Sequence, residues 1–164
     1  MDVVHLEHRN KEFFEPLHTL LSKITIPCKT ITNNRRGFPA KHRAFTFGMT
    51  TGRFNGKTDL SYYSKKYPYI YEEVMRIGQI ICDGVLKFKS VHINNNVICP
   101  KHKDSKNVGQ SVLVSFGDYM GGGVFIEGVS FDARYQPILF DGSMLEHWNS
   151  NDLVGNKYSL VFFT

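Results

Sequence analysis

The sequence lacks the features that define several large protein classes. Its 164 residues include three cysteines, Cys28, Cys82 and Cys99, which are far apart. That spacing fits neither a disulfide framework nor a zinc site of paired Cys-x-x-Cys motifs, so we expect free thiols in a reducing compartment such as the cytoplasm or nucleus. No run approaches the roughly 18 apolar residues of a membrane span, and the N-terminus lacks the apolar stretch of a secretory signal. We therefore expect an intracellular protein with no membrane partner.

Internal repeats, low-complexity tracts and domain linkers are also missing. A chain of 164 residues can bury its own core, so we predict one domain over residues 1–164. Its 41% hydrophobic and 21% charged residues are ordinary for a globular protein. The net charge of +5 favours attraction to polyanions but identifies none, and nothing in the sequence indicates the oligomeric state.

The order of the predicted elements indicates an α+β fold. Apolar residues that recur every three or four positions predict amphipathic helices over 10–23, with Pro16 interrupting it early, and over 69–82. We predict strands over 25–32, 44–49, 87–94, 111–116, 123–127, 137–141 and 158–164. A turn is predicted at 33–37, a long loop between 51 and 68, and a hairpin turn at glycines 121–123. Helical and strand support over 1–86 would then precede a sheet sandwich or barrel over 87–164.

Three residues of the second half are candidate metal ligands. His102 and Asp104 are two positions apart, and in a strand such residues project from the same face. His147 follows the predicted strand 137–141 and could complete the set from a neighbouring strand. Two histidines and one carboxylate on one octahedral face leave other positions open, which favours an iron(II) oxygenase over a closed zinc site. The chain has seven histidines, and a surface or core position is the alternative for each of them.

Residues before and after these candidates could bind a carboxylate. Lys157 lies ten residues after His147 on the last predicted strand, where its cation could pair with the far end of a dicarboxylate. Ser159 shares that strand face and could donate a hydrogen bond to the same group. The alternative for Lys157 is an exposed strand lysine. Asn94 and Asn96 are expected on one strand face, where their amides could bind cosubstrate or substrate, or could cap the strand end.

The pattern His102-x-Asp104, His147, Lys157-x-Ser159 resembles that of the 2-oxoglutarate- and iron(II)-dependent dioxygenases. Connecting stretches over 93–96, 107–111 and 116–123 are similar to the branch of TET and base-J-type hydroxylases with their viral, phage and algal relatives, and the match covers 88–164. The resemblance implies a double-stranded β-helix, or jelly roll, in which His102, Asp104 and His147 hold iron(II) as the catalytic centre. It also implies 2-oxoglutarate bound at Lys157 and Ser159, O₂ as oxidant, and ascorbate as a candidate reductant.

The lysine at position 157 leaves more than one substrate class open. Many nucleic-acid-acting relatives have arginine there, whereas prolyl-hydroxylase relatives use lysine. Basic residues near the first predicted turn and an amide after Asp104 are candidate substrate contacts: Arg35, Arg36, Arg43 and Asn107. Interleaved tyrosines and lysines over 62–69 suit phosphate contacts and base stacking. The alternative is that the basic residues are only solvated and the tyrosines belong to the core.

Three functional hypotheses follow. The first is a hydroxylase of a nucleic-acid base, such as the methyl group of a modified pyrimidine, which would have to be flipped out of a duplex. The second is a protein or peptide hydroxylase acting, for example, on prolyl residues. The third is a non-catalytic jelly-roll binding module in which the histidines are structural. Succinate formation would distinguish the third hypothesis from the other two.

Overall fold

The computed structural model describes residues 2–30, 41–51 and 56–164. The predicted turn at 33–37 and the end of the predicted strand 25–32 lie outside those ranges. The elements in chain order are β1 (Val4–His5), α1 (Lys11–Ser22), β2 (Cys28–Thr30), β3 (Lys41–Thr51), β4 (Thr58–Leu60), α2 (Tyr62–Lys66), α3 (Pro68–Ile81), β5 (Ser90–Asn95), β6 (Ser111–Met120), β7 (Val124–Ile126), β8 (Val129–Phe131), β9 (Ile138–Phe140), β10 (His147–Asn149) and β11 (Val154–Phe163).

Two antiparallel sheets form the framework. The larger sheet has the order β1-β9-β6-β11-β5-β3-β2, with β4 paired to β3, and the smaller has the order β10-β7-β8. Strands that are distant in sequence are therefore neighbours in the larger sheet, as when β11 inserts between β5 and β6. This arrangement confirms the predicted α+β fold with a double-stranded β-helix. No helix in the described ranges is long and apolar enough to cross a membrane.

The helices cover one face of the larger sheet. Helix α1 begins at Asn10, whose side-chain oxygen accepts the Phe13 amide at 3.1 Å, and it continues without a break through Pro16. Its buried side is fixed by Phe14, whose ring stacks on Phe116 of β6 with centroids 5.2 Å apart. Helix α3 buries its own apolar stripe against the same core, so the two predicted helices are confirmed.

The other face of the larger sheet lines the cavity of the candidate site. Along β5, Val91 and Ile93 are fully buried in the helix-side core, while His92 and Asn94 line a cavity on the opposite side. Strand β11 alternates in the same way, since Leu160 lies in the core and Ser159 lines the cavity. The period of two thus delivers polar side chains to the space between the sheets.

Several short elements differ from the sequence prediction. The predicted loop 51–68 contains β4 and α2, and the strands β1, β8 and β10 were not predicted. The glycines at 121–123 do not form a hairpin, because β6 pairs with β9 and β11 whereas β7 pairs with β8 and β10. Gly121 and Gly122, with φ of 71° and 65°, carry the chain from one sheet to the other. Two- and three-residue strands carry too little periodicity to be recognised in the sequence.

Candidate metal centre and adjoining cavities

Backbone hydrogen bonds bring the three candidate ligands together. The His102 amide donates to the His147 carbonyl and the His147 amide donates to the His102 carbonyl, both at 3.0 Å. The Asp104 amide donates to the Gly142 carbonyl at 2.7 Å. His147 begins β10, but His102 and Asp104 lie in the connection between β5 and β6. The expectation that these two residues share a regular strand is therefore wrong, although the predicted proximity of all three is correct.

A carbonyl oxygen orients each histidine ring. Nδ1 of His102 lies 2.7 Å from the Pro100 carbonyl oxygen, and Nδ1 of His147 lies 2.8 Å from that of Leu145. A carbonyl can only accept, so each Nδ1 carries the proton and each Nε2 faces the carboxylate of Asp104. The distances are 3.2 Å from His102 Nε2 to Asp104 Oδ1 and 3.2 Å from His147 Nε2 to Asp104 Oδ2.

This donor set requires a cation. The ligand atoms of His102, Asp104 and His147 lie within 4.8 Å of one another, and neutral rings would present two lone pairs to a carboxylate. Protons or a metal ion must lie between these atoms to prevent repulsion. Two imidazole nitrogens and one carboxylate oxygen match the iron(II) facial triad, so the residues fit the metal that the motif implies.

The acid–base properties of the cluster agree with that requirement. Burial raises the pKa of Asp104, but hydrogen bonds and charge from the two histidines outweigh burial and lower it well below its usual range. Burial lowers the pKa of His147, but the hydrogen bond with Asp104 and the Leu145 carbonyl raise it overall. The cluster therefore stabilises positive charge beside Asp104.

Gly142 adjoins the candidate ligands, although the sequence pattern did not predict it. A Cβ at this position would lie 2.8 Å from Asp104 Oδ2 and 3.3 Å from His147 Cε1. Only glycine leaves room for both ligands while its carbonyl accepts the Asp104 amide. The available signal was a glycine between Asp141 and Ser143 directly after a predicted strand, in a turn that Asp141 Oδ1 closes by accepting the Ser143 amide at 3.0 Å.

Two neighbouring cavities lie at the candidate site. The larger has a volume of about 530 Å³ and is lined by all three of them. The smaller has a volume of about 210 Å³ and is lined by Lys157 and Tyr119. The two cavities share the side chains of Leu113, Val124, Asn149 and Ser159. Ser159 therefore belongs to the wall that the cavity of the metal ligands shares with the cavity of Lys157.

Lys157 is a buried lysine and not the exposed strand residue of the alternative interpretation. It is 6% exposed, its Nζ donates to the Gly122 carbonyl at 2.5 Å, and it lies 5.5 Å from the centroid of the Tyr119 ring. Burial lowers the pKa of Lys157, and the charge of Arg134 lowers it further. Cys99 and Asp132 raise this pKa, but by less than burial lowers it. A buried cation with no carboxylate within ion-pairing distance in the described residues is suited to an anionic ligand.

The two predicted amides have different positions. Asn94 lines the larger cavity, as expected for a ligand contact. Asn96 has left the strand with φ of 57°, its Oδ1 accepts the Lys157 amide at 2.6 Å, and its Nδ2 donates to Asn156 at 3.2 Å. The expected shared strand face is therefore wrong for Asn96, and the capping alternative describes it.

Only some of the candidate substrate residues line the cavities. Asn107 lines the larger cavity, and its amide donates to the Asp104 carbonyl at 3.0 Å. Arg43 instead donates to the Ile26 carbonyl at 2.8 Å. Arg35 and Arg36 lie outside the described residues. Of the aromatic run 62–69, Tyr63 packs on the helix-side core, so it faces away from the site.

Other cavity residues were not predicted as substrate contacts. The larger cavity is also lined by basic and aromatic side chains from five separate strands and connections: Lys29, His42, His92, Lys106 and Trp148. Trp148 stacks on Phe125 with centroids 5.4 Å apart, and Lys101 Nζ lies 4.7 Å from its ring centroid. Separate strands and loops carry these residues, so no local motif could have identified them.

Comparisons with known proteins agree with the geometry of the fold. No protein-family model matches the sequence, and no curated protein matches it. Among solved structures, NgTET1 in complex with 5mC DNA is similar with a TM-score of 0.67 and 14% identity, over 98% of this chain and 71% of that one. A 2OG-Fe(II) oxygenase family oxidoreductase from Burkholderia pseudomallei is similar with a TM-score of 0.61 and 15% identity, over 98% of this chain and 84% of that one. A prolyl-4-hydroxylase from Pseudomonas putida is similar with a TM-score of 0.53 and 10% identity, over 98% of this chain and 91% of that one. The chain therefore has the double-stranded β-helix fold of the 2-oxoglutarate- and iron(II)-dependent oxygenases, with the resemblance to TET that its motifs indicated.

Proposed function

We propose that this protein is an iron(II)- and 2-oxoglutarate-dependent dioxygenase that hydroxylates a C–H bond of its substrate. The observation that carries the proposal is the convergence of His102, Asp104 and His147 at a cavity that shares wall residues with the cavity of the buried cation Lys157. The three ligands would hold iron(II), and Lys157 with Ser159 would bind the far carboxylate of 2-oxoglutarate. Bound iron, 2-oxoglutarate and O₂ supply the oxidising chemistry, with ascorbate as a candidate reductant.

The protein's own groups would hold and shield these reactants. The Pro100 and Leu145 carbonyls fix the tautomers of the two histidines, so that Nε2 is available in each ring. Leu113, Val124 and Phe140 form an apolar wall of the larger cavity and reduce the access of water. Ser159 Oγ lies 3.2 Å from Ser115 Oγ, and this pair places two hydroxyl groups in the smaller cavity with Lys157.

We propose a nucleic-acid base as the substrate, with the methyl group of a modified pyrimidine as the specific target. Two lysines, Lys29 and Lys106, line the larger cavity, and Asp104 is the one carboxylate among its described lining residues. Such a wall attracts the phosphate groups that flank a base. A base flipped from a duplex would stack on Trp148 or another aromatic side chain of the cavity. The fold likeness to NgTET1, solved with 5mC DNA, supports this choice.

A protein or prolyl hydroxylase is the second candidate. Lysine at position 157 and the fold likeness to a prolyl-4-hydroxylase favour it. The two substrates make different demands on the cavity wall, since phosphate contacts weaken steeply with added salt whereas contacts to a neutral peptide do not. Binding of single-stranded and duplex DNA, RNA and a proline-rich peptide, each at low and high salt, distinguishes them.

Cosubstrate binding and turnover test the reaction itself. The native protein is loaded with iron(II) and 2-oxoglutarate without oxygen, and succinate is measured after air is admitted. Turnover should be lost in His102→Ala and Asp104→Ala but retained in His8→Ala, a control that removes an exposed histidine ahead of α1. Absence of 2-oxoglutarate binding in the native protein would refute the oxygenase and favour a non-catalytic binding module.

A further inference from the structure

The smaller cavity contains a second cation, Arg134, which the sequence pattern did not single out. Arg134 Cζ lies 4.3 Å from the centroid of the Tyr119 ring, and Lys157 Nζ lies 5.5 Å from the same centroid. Both side chains line the smaller cavity together with Ser115 and Ser159. One aromatic ring therefore contacts two positive groups in a cavity that none of the three metal ligands lines.

The backbone around Arg134 is fixed to the strands that carry the site. Arg134 forms an isolated parallel bridge with Ser115 of β6. The Ser115 amide donates to the Ala133 carbonyl at 2.9 Å, and the Tyr135 amide donates to the Ser115 carbonyl at 2.8 Å. Hydrogen bonds on both sides thus hold Arg134 in register with β6. Ser115 in turn faces Ser159 of β11, so the second cation has a defined position relative to the proposed carboxylate site.

The charge at this end of the cavity is not balanced by the protein. Its charged lining residues are Lys157, Arg134 and Asp132. Asp132 is exposed, and its Oδ1 already accepts the Arg134 amide at 3.0 Å. In the described ranges, no carboxylate lies within ion-pairing distance of the Arg134 guanidinium. One anionic group would neutralise the remaining charge.

We propose that Arg134 binds the far carboxylate of 2-oxoglutarate together with Lys157, and so sets the preference for a dicarboxylate; this inference rests on the proposed function. Lysine at position 157 supplies a point charge and cannot form the two parallel hydrogen bonds of a guanidinium. Arg134 supplies that planar fork from a different element. The carboxylate is then held between a buried ammonium and a guanidinium beside Tyr119.

Equilibrium binding tests the role of Arg134 without turnover. The probes are 2-oxoglutarate and 2-oxobutyrate, which has the same keto acid end but no far carboxylate. Each is titrated by calorimetry into protein loaded with Zn²⁺, an ion without redox chemistry. Arg134→Ala should weaken 2-oxoglutarate binding by about ten- to a hundredfold, as expected for loss of hydrogen bonds to a charged group, and leave 2-oxobutyrate binding unchanged. Arg134→Lys should restore part of the loss.

Controls separate this inference from the function on which it rests. Lys11→Ala removes an exposed charge at the start of α1, so it should bind both acids like the native protein, and thermal unfolding should confirm that Arg134→Ala is folded. Native affinity for 2-oxoglutarate in Arg134→Ala, or equal weakening of both acids, would overturn the assignment of Arg134. Failure of the native protein to bind 2-oxoglutarate would instead overturn the proposed function.

Discussion

The ring of each candidate ligand histidine is oriented by a hydrogen bond to a carbonyl oxygen two residues earlier in the chain. These are the Pro100 carbonyl for His102 and the Leu145 carbonyl for His147. Because the acceptor is part of the backbone, no side-chain substitution can remove it directly. The tautomer needed for metal binding is thus a property of the local chain conformation, and positions that shape the conformation are as important as the ligands.

Gly142 is the clearest position of this kind. Gly142→Ala would place a Cβ 2.8 Å from Asp104 Oδ2, so the carboxylate must move away from the histidines. We expect metal affinity to fall by about ten- to a hundredfold, the range seen when ligand orientation is disturbed. Metal titration by calorimetry measures the effect, and circular dichroism checks that the fold is intact. Native metal affinity in Gly142→Ala would contradict the packing argument.

The pH dependence of metal binding follows from His147 and Asp104. The pKa of His147 is raised from 6.5, so its protonated form stabilises the metal-free fold below that pH and this contribution is lost as the pH rises through the raised pKa. The lowered pKa of Asp104 keeps the carboxylate charged throughout this range. A metal ion must displace the proton from His147. We therefore expect metal affinity to increase, and metal-free stability to decrease, as the pH rises above 6.5.

Metal titrations and thermal unfolding across this pH range measure the two trends. Added divalent ion should reverse the loss of stability, because it replaces the proton beside Asp104. A metal affinity that does not change above pH 6.5 would show that His147 is not a ligand.

At the scale of elements, the start of β11 depends on a side chain from the end of β5. Asn96 Oδ1 accepts the Lys157 amide at 2.6 Å, and the Asn96 amide donates to the Lys157 carbonyl at 2.9 Å. These bonds extend the β5 and β11 pairing beyond the last regular residue of β5. They fix the backbone from which the buried lysine projects.

Asn96→Ala should weaken the binding of 2-oxoglutarate more than the binding of the metal. It removes the acceptor for the Lys157 amide, which costs about 1–3 kcal/mol when a buried donor loses its partner. It also places alanine at φ of 57°, a conformation that asparagine tolerates better. Asn96→Gly is the matched variant, because it relieves the backbone strain but still lacks the acceptor. Both variants should bind 2-oxoglutarate more weakly and bind metal normally. Loss of metal affinity in Asn96→Gly would show that the effect is not confined to β11.

At the scale of the whole molecule, the metal site joins two parts of the fold. His147 begins a strand of the smaller sheet, whereas His102 and Asp104 follow a strand of the larger sheet. A bound ion would therefore crosslink the smaller sheet and the connection between β5 and β6, in addition to its role in the reaction. Ligands that bind only the folded state stabilise it according to their concentration and affinity.

We expect divalent metal to raise the thermal unfolding temperature of the native protein. At about one hundred times the dissociation constant, the gain is about 2.7 kcal/mol. Differential scanning calorimetry with and without metal measures it. The double variant His102→Ala/Asp104→Ala should show no increase, while His8→Ala should respond like the native protein. An equal response in the double variant would place the bound metal elsewhere.

The sequence predicted the parts of this molecule that are encoded locally. The amphipathic helices α1 and α3, the longer strands and the order of the motif residues follow from periodicity and spacing over a few residues. The resemblance of His102, Asp104, His147, Lys157 and Ser159 to a family pattern then predicted the double-stranded β-helix, which the structure and its likeness to solved structures confirm. Residue types and spacing were sufficient to predict this fold, because folding changes neither the types of these residues nor their order.

Only the tertiary structure decided what surrounds those residues. The space left by Gly142, the burial of Lys157 and the approach of Arg134 to the same Tyr119 ring depend on segments that are distant in sequence and neighbours in the sheets. The sequence placed His102 and Asp104 on a strand, but pairing with His147 and Gly142 holds them in a connection. Local pattern determines which side chains are available, and long-range pairing between strands determines which of them share one cavity.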